Sequence, residues 1–321
     1  IHRPAPLRRL IAMSLGLVIP VRDDHVALDQ LLTEAGKLGV FDQIVVVDDG
    51  SAKPVASDLA QIIRQDTATG PGPARNIGLA EVGTDHVLFF DSDDMITPQI
   101  IPLWRDLAGR NFDFCLFRHA DTRQIARGRW HQMPNDDALW RLAGMGGQHL
   151  TPVTGQAVAW LAQTANYPWN KIYRTSFLRE AGISFPALML HEDIAPHWES
   201  FAKASTILAS DRVCATHIVS PGGGRMTNFR GRERIGAITS LQKLSARLPA
   251  SLRLAFQTFT SGLFDWIYYH IDPRWHDELL LSIQRFWQAT LGPQEEAQLI
   301  HHDPVLALRI GLQMAGGRLP C

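Results

Sequence analysis

Asp91-Ser92-Asp93-Asp94 places three carboxylates within four residues, directly after the apolar run Val87-Leu88-Phe89-Phe90. In an extended segment, residues i and i+2 point to the same side, so Asp91 and Asp93 can share one ligand. A divalent cation is the simplest: Mg²⁺ or Mn²⁺ takes oxygen donors, often one or two carboxylates completed by substrate phosphates and water. Ionised acids this close repel one another, and a bound cation relieves that. The competing reading is a solvated acidic turn ahead of a helix. A second apolar run ends in the same way, in Val47-Asp48-Asp49-Gly50-Ser51. A carboxylate there can accept from a nucleobase N–H or from ribose hydroxyls, or Asp and Gly can simply set a turn.

Two further segments contribute groups of other kinds. Gly72-Pro73-Ala74-Arg75-Asn76-Ile77-Gly78 is neither a Gly-Lys-Ser/Thr phosphate loop nor a G-x-G-x-x-G fingerprint. It sets Arg75 and Asn76 at a helix start, where backbone N–H groups and a guanidinium can hold an anion; an ordinary surface arginine is the alternative. His191-Glu192-Asp193 follows Trp169-Asn170-Lys171-Ile172-Tyr173 and opens a helical segment. One of its acids can take a proton from a hydroxyl nucleophile, or both can serve only the helix dipole.

The elements that must position these groups alternate between strand and helix. Residues 17–21, 44–47 and 86–90 are continuous apolar runs of the kind found in strands covered on both faces, and 111–117 reads as a fourth. Between them, 24–38 has helical spacing with Asp24 as N-cap, Gly70-Pro71-Gly72-Pro73 opens a second helix, and 97–108 is a third, ended by Gly109. This alternation predicts an α/β fold with a mostly parallel sheet, whose carboxyl edge is the ligand-binding edge. Residues 119–163 read as helices and loops laid over the sheet, 193–203 as a helix, Pro221-Gly222-Gly223-Gly224 as a break, and 232–315 as a helical C-terminal part.

The chain has 321 residues, 31 Lys+Arg against 32 Asp+Glu, and 45% apolar residues. It can bury a sizeable core, and a charge of −1 argues against nucleic acid as the partner. Cys115, Cys214 and Cys321 are too few and too scattered for a disulfide scaffold or a cysteine zinc site, which suits a reduced compartment. Residues 1–12 read as a remnant or misplaced start ahead of Met13, and no apolar stretch is long enough to span a bilayer. The best apolar candidate, 256–271, is interrupted by Asp265 and reads as a core helix before an interfacial one.

Together these residues resemble the family 2 glycosyltransferases, which have the GT-A nucleotide-sugar-binding fold. The resemblance rests on the first strand with Pro20, Asp48-Asp49-Gly50-Ser51, Ala74-Arg75-Asn76-x-Gly78, Asp91-Ser92-Asp93-Asp94, Trp169-Asn170-Lys171 and Glu192-Asp193. It implies a catalytic domain over 13–230 and a helical region over 231–321. The implied activity is inverting sugar transfer from a nucleotide-diphosphate donor to an acceptor hydroxyl. By the same resemblance Pro20, Val21, Asp48, Asp49, Arg75, Asp91, Ser92 and Arg225 would bind the donor. Asp93, Asp91 and His217 would hold Mn²⁺ or Mg²⁺, with Asp94 in support; Asp193 would be the base, assisted by Glu192; and Trp169 and Asn170 would face the acceptor. The family's aromatic residue and Asn after the first strand are replaced by Val21-Arg22-Asp23. Relatives build surface polysaccharides, which implies a saccharide or lipid-linked acceptor and a cytoplasmic enzyme at the inner membrane face. Trp266, Tyr268 and Tyr269 are candidates for a membrane-facing or homodimer surface. Two readings compete: a non-catalytic carbohydrate- or partner-binding module, and a nucleotidyltransferase, which would need a Gly-rich loop after the first strand. Seven acids (Asp48, Asp49, Asp91, Asp93, Asp94, Glu192, Asp193) are thus expected around one crevice of a nearly neutral chain.

Overall fold

A computed structural model describes residues 13–147, 149–219 and 229–317. Residues 1–12, the loop Gly222-Gly223-Gly224 and Arg225 therefore lie outside the described residues. Strands β1 (Leu15–Val21), β2 (Gln43–Asp48), β3 (Gln61–Arg64), β4 (His86–Phe89), β5 (Met95–Ile96), β6 (Phe114–Asp121), β7 (Thr151–Val153), β8 (Lys171–Arg174) and β9 (Ile207–His217) form one sheet. Its order is β3-β2-β1-β4-β8-β6-β9-β5, with β7 also paired to β9. Helices α1 (His25–Leu38), α2 (Pro71–Glu81), α3 (Ile100–Leu107), α4 (Thr122–Ile125), α5 (Pro134–Leu142), α6 (Gln156–Leu161), α7 (Thr175–Glu180) and α8 (Ile194–Lys203) join the strands. Five more follow: α9 (Glu233–Ser245), α10 (Ala250–His270), α11 (His276–Thr290), α12 (Pro293–His302) and α13 (Pro304–Met314).

The sheet is parallel from β3 through β2 and β1 to β4. Beyond β4 it is mixed: β8 runs antiparallel to β4 and β6, and β5 and β7 run antiparallel to β9, while β6 and β9 are parallel. The mostly parallel sheet expected from the sequence thus describes only its first half. Parallel pairing needs a crossover that returns the chain to the sheet's starting edge. β8 instead begins at the carboxyl edge, just after a 3₁₀ turn at Pro168–Asn170, and has to run back.

Alternate residues of the central strands feed two cores, as the pleat requires. Leu17, Ile19, Val46, Leu88 and Phe90 meet Leu28, Leu31 and Leu32 of α1 and Leu103 of α3. Val18, Val45, Val47, Val87 and Phe89 face Ala74 of α2 and Trp198 of α8. Helix α1 starts where the Asp24 carboxylate accepts from Ala27 N and ends at Gly39 in the left-handed region (φ 61°). The C-terminal helices share the second core: Trp198 meets Phe256 of α10 edge-on at 4.9 Å. Burying an indole of this size stabilises by roughly 4–6 kcal/mol as an upper bound, so the helical region is packed onto the sheet-bearing half.

Candidate active site

The carboxyl ends of β1, β2 and β4 define one edge. Pro20 and Val21 close β1, in register with Val47 and Asp48. Asp48 is fully buried and accepts from Ser51 N (2.9 Å), Val55 N (3.1 Å) and Arg64 Nη1 (2.5 Å). Burial alone would raise its pKa, but these bonds outweigh it and hold the carboxyl below the usual range. Asp49 accepts from Thr69 N (2.7 Å), Gly70 N (2.8 Å) and Gln65 Nε2 (3.0 Å). It thereby ties the loop that opens α2 to the end of β2. A nucleobase N–H would share an acceptor that already holds this loop.

The acidic box follows β4. Asp91 and Asp93 are partly exposed, whereas Asp94 is buried and accepts Ile218 N at 2.8 Å. The register of β5 on β9, Met95 opposite Thr216, sets His217 across from Asp94. His217 Nδ1 lies 3.1 Å from Asp121 Oδ2. Among the described residues no three His, Cys, Asp or Glu side chains could hold a metal ion by themselves. Asp91, Asp93 and His217 thus do not form a metal site of their own among the described residues.

Arg75 is the hub of the site. It is 3% exposed, donates from Nη2 to Asp91 at 2.5 Å and from Nη1 to Glu192 at 2.9 Å, and lies 5.3 Å over the Phe185 ring. Its guanidinium is spent on carboxylates rather than presented to an anion. Asn76 brackets the same segment, donating to Phe185 O (2.8 Å) and accepting Phe185 N (2.9 Å). Two glycines permit the approach: a Cβ on Gly78 would lie 2.3 Å from Val18 Cγ1, and one on Gly72 would lie 2.4 Å from Pro186 O. Helix α2 thus clamps the chain leading to Glu192-Asp193 against the carboxyl edge of the sheet.

Asp193 stands at the N-cap of α8 and keeps some contact with solvent. Crowding by protein atoms and the charge of Glu192 push its carboxyl up to about 7, against the opposing pull of Arg75. His191 has φ 64°, rare for a residue with a side chain, and its ring meets Trp266 of α10 edge-on at 5.9 Å. Trp266 is itself held by Arg234 (4.7 Å to the ring centroid) and stacks on His270 at 4.2 Å. Trp169 and Asn170 lie beneath the surface. The indole is fully buried and stacks on Tyr167 at 4.4 Å, and Asn170 Nδ2 donates to Ala165 O at 3.0 Å.

Other contributing residues take their place only through the fold. Lys171 is fully buried on β8 and donates to Tyr167 O (3.0 Å) and to Asn170 Oδ1. Burial drives it down to about 7, opposed by Asp193 and Asp136. Asp121 sits in an unremarkable stretch and reaches His217 through the register of β6 on β9, and Trp266, expected at an outer surface, packs on His191 instead.

A model described as glycosyl transferase family 2 matches residues 17–180, just over half of the chain. A pre-mycofactocin glycosyltransferase of Mycobacterium tuberculosis is 41% identical over 93 residues, 27% of this chain and 18% of that protein. The succinoglycan biosynthesis protein ExoW of Rhizobium meliloti is 43% identical over 67 residues, 17% of this chain and 21% of that protein. The chain therefore spans only about a fifth of the length of these curated relatives. Over the whole fold it is similar to S. aureus TarS 1–349 in complex with UDP-GlcNAc. The TM-score is 0.73 at 18% identity, covering 95% of this chain and 88% of that one. It is also similar to the mannosyltransferase PcManGT from Pyrobaculum calidifontis in complex with GDP-Man and Mn²⁺, with TM-score 0.52, 12% identity, and 94% and 86% covered. These likenesses establish a GT-A-type fold.

Proposed function

This chain belongs to glycosyl transferase family 2, and from that membership we propose that it transfers a sugar from a nucleoside-diphosphate sugar to an acceptor hydroxyl with inversion. The observation that carries the reading is the Arg75 bridge, 2.5 Å to Asp91 on the donor edge and 2.9 Å to Glu192 beside Asp193. One buried cation thereby holds the donor-binding carboxylate and the base-bearing segment in a single crevice. The nucleoside lies along the ends of β1 and β2, near Pro20, Val21, Asp48 and Asp49, and its diphosphate reaches Asp91, Ser92 and Asp93. Mn²⁺ or Mg²⁺ held by Asp93, Asp91 and His217 would supply Lewis-acid neutralisation of the leaving diphosphate. Asp193 accepts the acceptor hydroxyl's proton as that oxygen attacks the anomeric carbon from the face opposite the diphosphate. Positioning of that kind contributes typically 10²–10⁴-fold. Trp169 and Asn170 act from below, as the floor under the acceptor side.

The complexes named for TarS and PcManGT support a nucleotide-sugar donor, and the name of ExoW supports a saccharide or lipid-linked acceptor in surface polysaccharide assembly. Among the described residues no helix is long and apolar enough to cross a membrane. The test is a panel of nucleotide-sugars with Mn²⁺, read by donor turnover, thermal shift and the anomeric configuration of the product. Asp93→Ala should abolish metal-dependent stabilisation by the nucleoside diphosphate, and Asp193→Asn should abolish transfer while leaving donor binding intact. Undiminished transfer by Asp193→Asn would remove the base assignment.

A further inference from the structure

The amino edge of the sheet, opposite the crevice, holds a second concavity that none of the roles above uses. It encloses about 460 Å³ where β4 begins, β8 ends and the chain enters β6. His86 opens β4 and stands directly across from Arg174, the last residue of the antiparallel strand β8. Their side chains therefore project from the same face of the sheet. Thr175 follows at once, its N donating to Asp85 O at 2.9 Å. From His86 to Asp91 the extended chain advances roughly 16 Å, so this cavity and the acidic box occupy opposite ends of β4.

Three polar atoms of the lining residues are buried without a hydrogen bond among the described residues: His86 Nδ1, Thr175 Oγ1 and Arg174 Nε. His86 and Thr175 are only 6% and 2% exposed. Buried polar groups are nearly always paired, so three orphans around one cavity call for a partner that enters it. The charge around them is positive. Arg179 donates to Leu79 O (2.7 Å) and Val82 O (2.6 Å), which holds the side chain without a carboxylate partner. Arg110 is exposed, and its guanidinium makes no ion pair or hydrogen bond among the described residues. The one acid of the lining, Asp85, is engaged by Ser14 through N and Oγ, both at 2.9 Å. Phe112 stacks on the His86 ring at 4.8 Å and adds apolar wall. Donors from several residues suit an anion with oxygens in several directions, which a phosphate has and a flat carboxylate lacks.

We propose that this cavity binds a small phosphate-bearing organic anion, with Arg110 and Arg179 on the phosphate and the Thr175 hydroxyl and His86 imidazole beneath it. The site is separate from the donor crevice and independent of the roles assigned there. The experiment is isothermal titration of the full chain, in EDTA, with inorganic phosphate and with glucose 6-phosphate. Both should bind saturably, the hexose phosphate more tightly because its carbon skeleton meets Phe112. Arg110→Glu removes a side chain with no bonds to lose and should weaken both anions by about tenfold or more. Thr175→Val replaces a hydroxyl that bonds nothing in the free chain, so it should weaken both by about tenfold while leaving the melting temperature where it was. In the wild-type chain, saturating phosphate should shift the ¹⁵N resonances of His86. No saturable binding of either anion, affinity unchanged by Arg110→Glu or by Thr175→Val, or unmoved His86 resonances would each overturn the assignment.

Discussion

Replacing Arg75 tests the clamp most directly. Its two ion pairs, at 2.5 and 2.9 Å, are each worth about 6 kcal/mol of gross Coulomb attraction at an effective dielectric near 20. Most of that only offsets the desolvation of three charged groups. Removing one partner of a buried pair nevertheless costs about 3–5 kcal/mol, here chiefly because Glu192 stays buried without compensation while Asp91 is partly solvated. Arg75→Met keeps most of the aliphatic volume and deletes the charge together with its place over Phe185, so it should lose about this amount and lower the melting temperature on the order of 10 °C. Arg75→Lys keeps the charge as a single point that cannot reach both carboxylates, and it should recover only part of the loss. A second consequence is chemical. Arg75 opposes the upward push on Asp193, so in Arg75→Met the rising limb of the pH–rate profile should move to higher pH. Thermal melting and kcat/KM against pH, on protein of verified fold, measure both. If Arg75→Met melted within about 1 °C of wild type, with an unmoved pH limb, the hub account would be wrong.

Three further outcomes follow from the same geometry. With Asp193 pushed up to about 7 and the base active when ionised, kcat/KM should climb tenfold per unit below about 7 and level above it, the apparent value belonging to the Glu192–Asp193 pair; a flat profile from pH 5 to 8 would contradict this. Gly72→Ala forces a Cβ to within 2.4 Å of Pro186 O, so it should displace the Glu192 segment and lower kcat more than donor affinity, as separate kcat and donor-binding measurements would reveal. Lys171 is lowered to about 7 when folded but titrates near 10.4 when unfolded. The unfolded chain therefore binds the extra proton between those values, and stability should rise with pH across that window. Lys171→Met should flatten that rise in melting curves at pH 7 and 9, and parallel slopes would disprove the linkage.

The parallel half of the sheet was legible because β1, β2 and β4 are short continuous apolar runs, each followed by Gly, Pro or Asp punctuation. The helix expected at 193–203 matches α8, Ile194–Lys203. β9 was not legible: Ser210-Asp211-Arg212 interrupts its apolar pattern where its register on β6 shifts between Phe117 and His119. β3 lies at an edge and is half exposed, so it carries little hydrophobic signal. At the site, residue types identified which groups could do chemistry but not how each was already engaged. Arg75 and Asn76 read as an anion cradle because nothing local shows that the chain 109 to 117 residues away supplies their partners. Asp121 was invisible for the same reason, since its significance lies in a contact across strands, whereas Lys171 was visible within Trp169-Asn170-Lys171 and only its burial was not.

The segment carrying Asp193 reaches the donor edge through side chains of α2 and not through strand pairing. Its attachments are a backbone pair for Asn76, a carboxylate for Arg75, and clearance above Gly72. Such a joint transmits position without prescribing sequence. A transplanted acceptor-side segment need present only those three features to seat its base correctly. On the proposed roles, acceptor preference would be separable from donor handling, and chimaeras should be designed with their junctions outside residues 185–193.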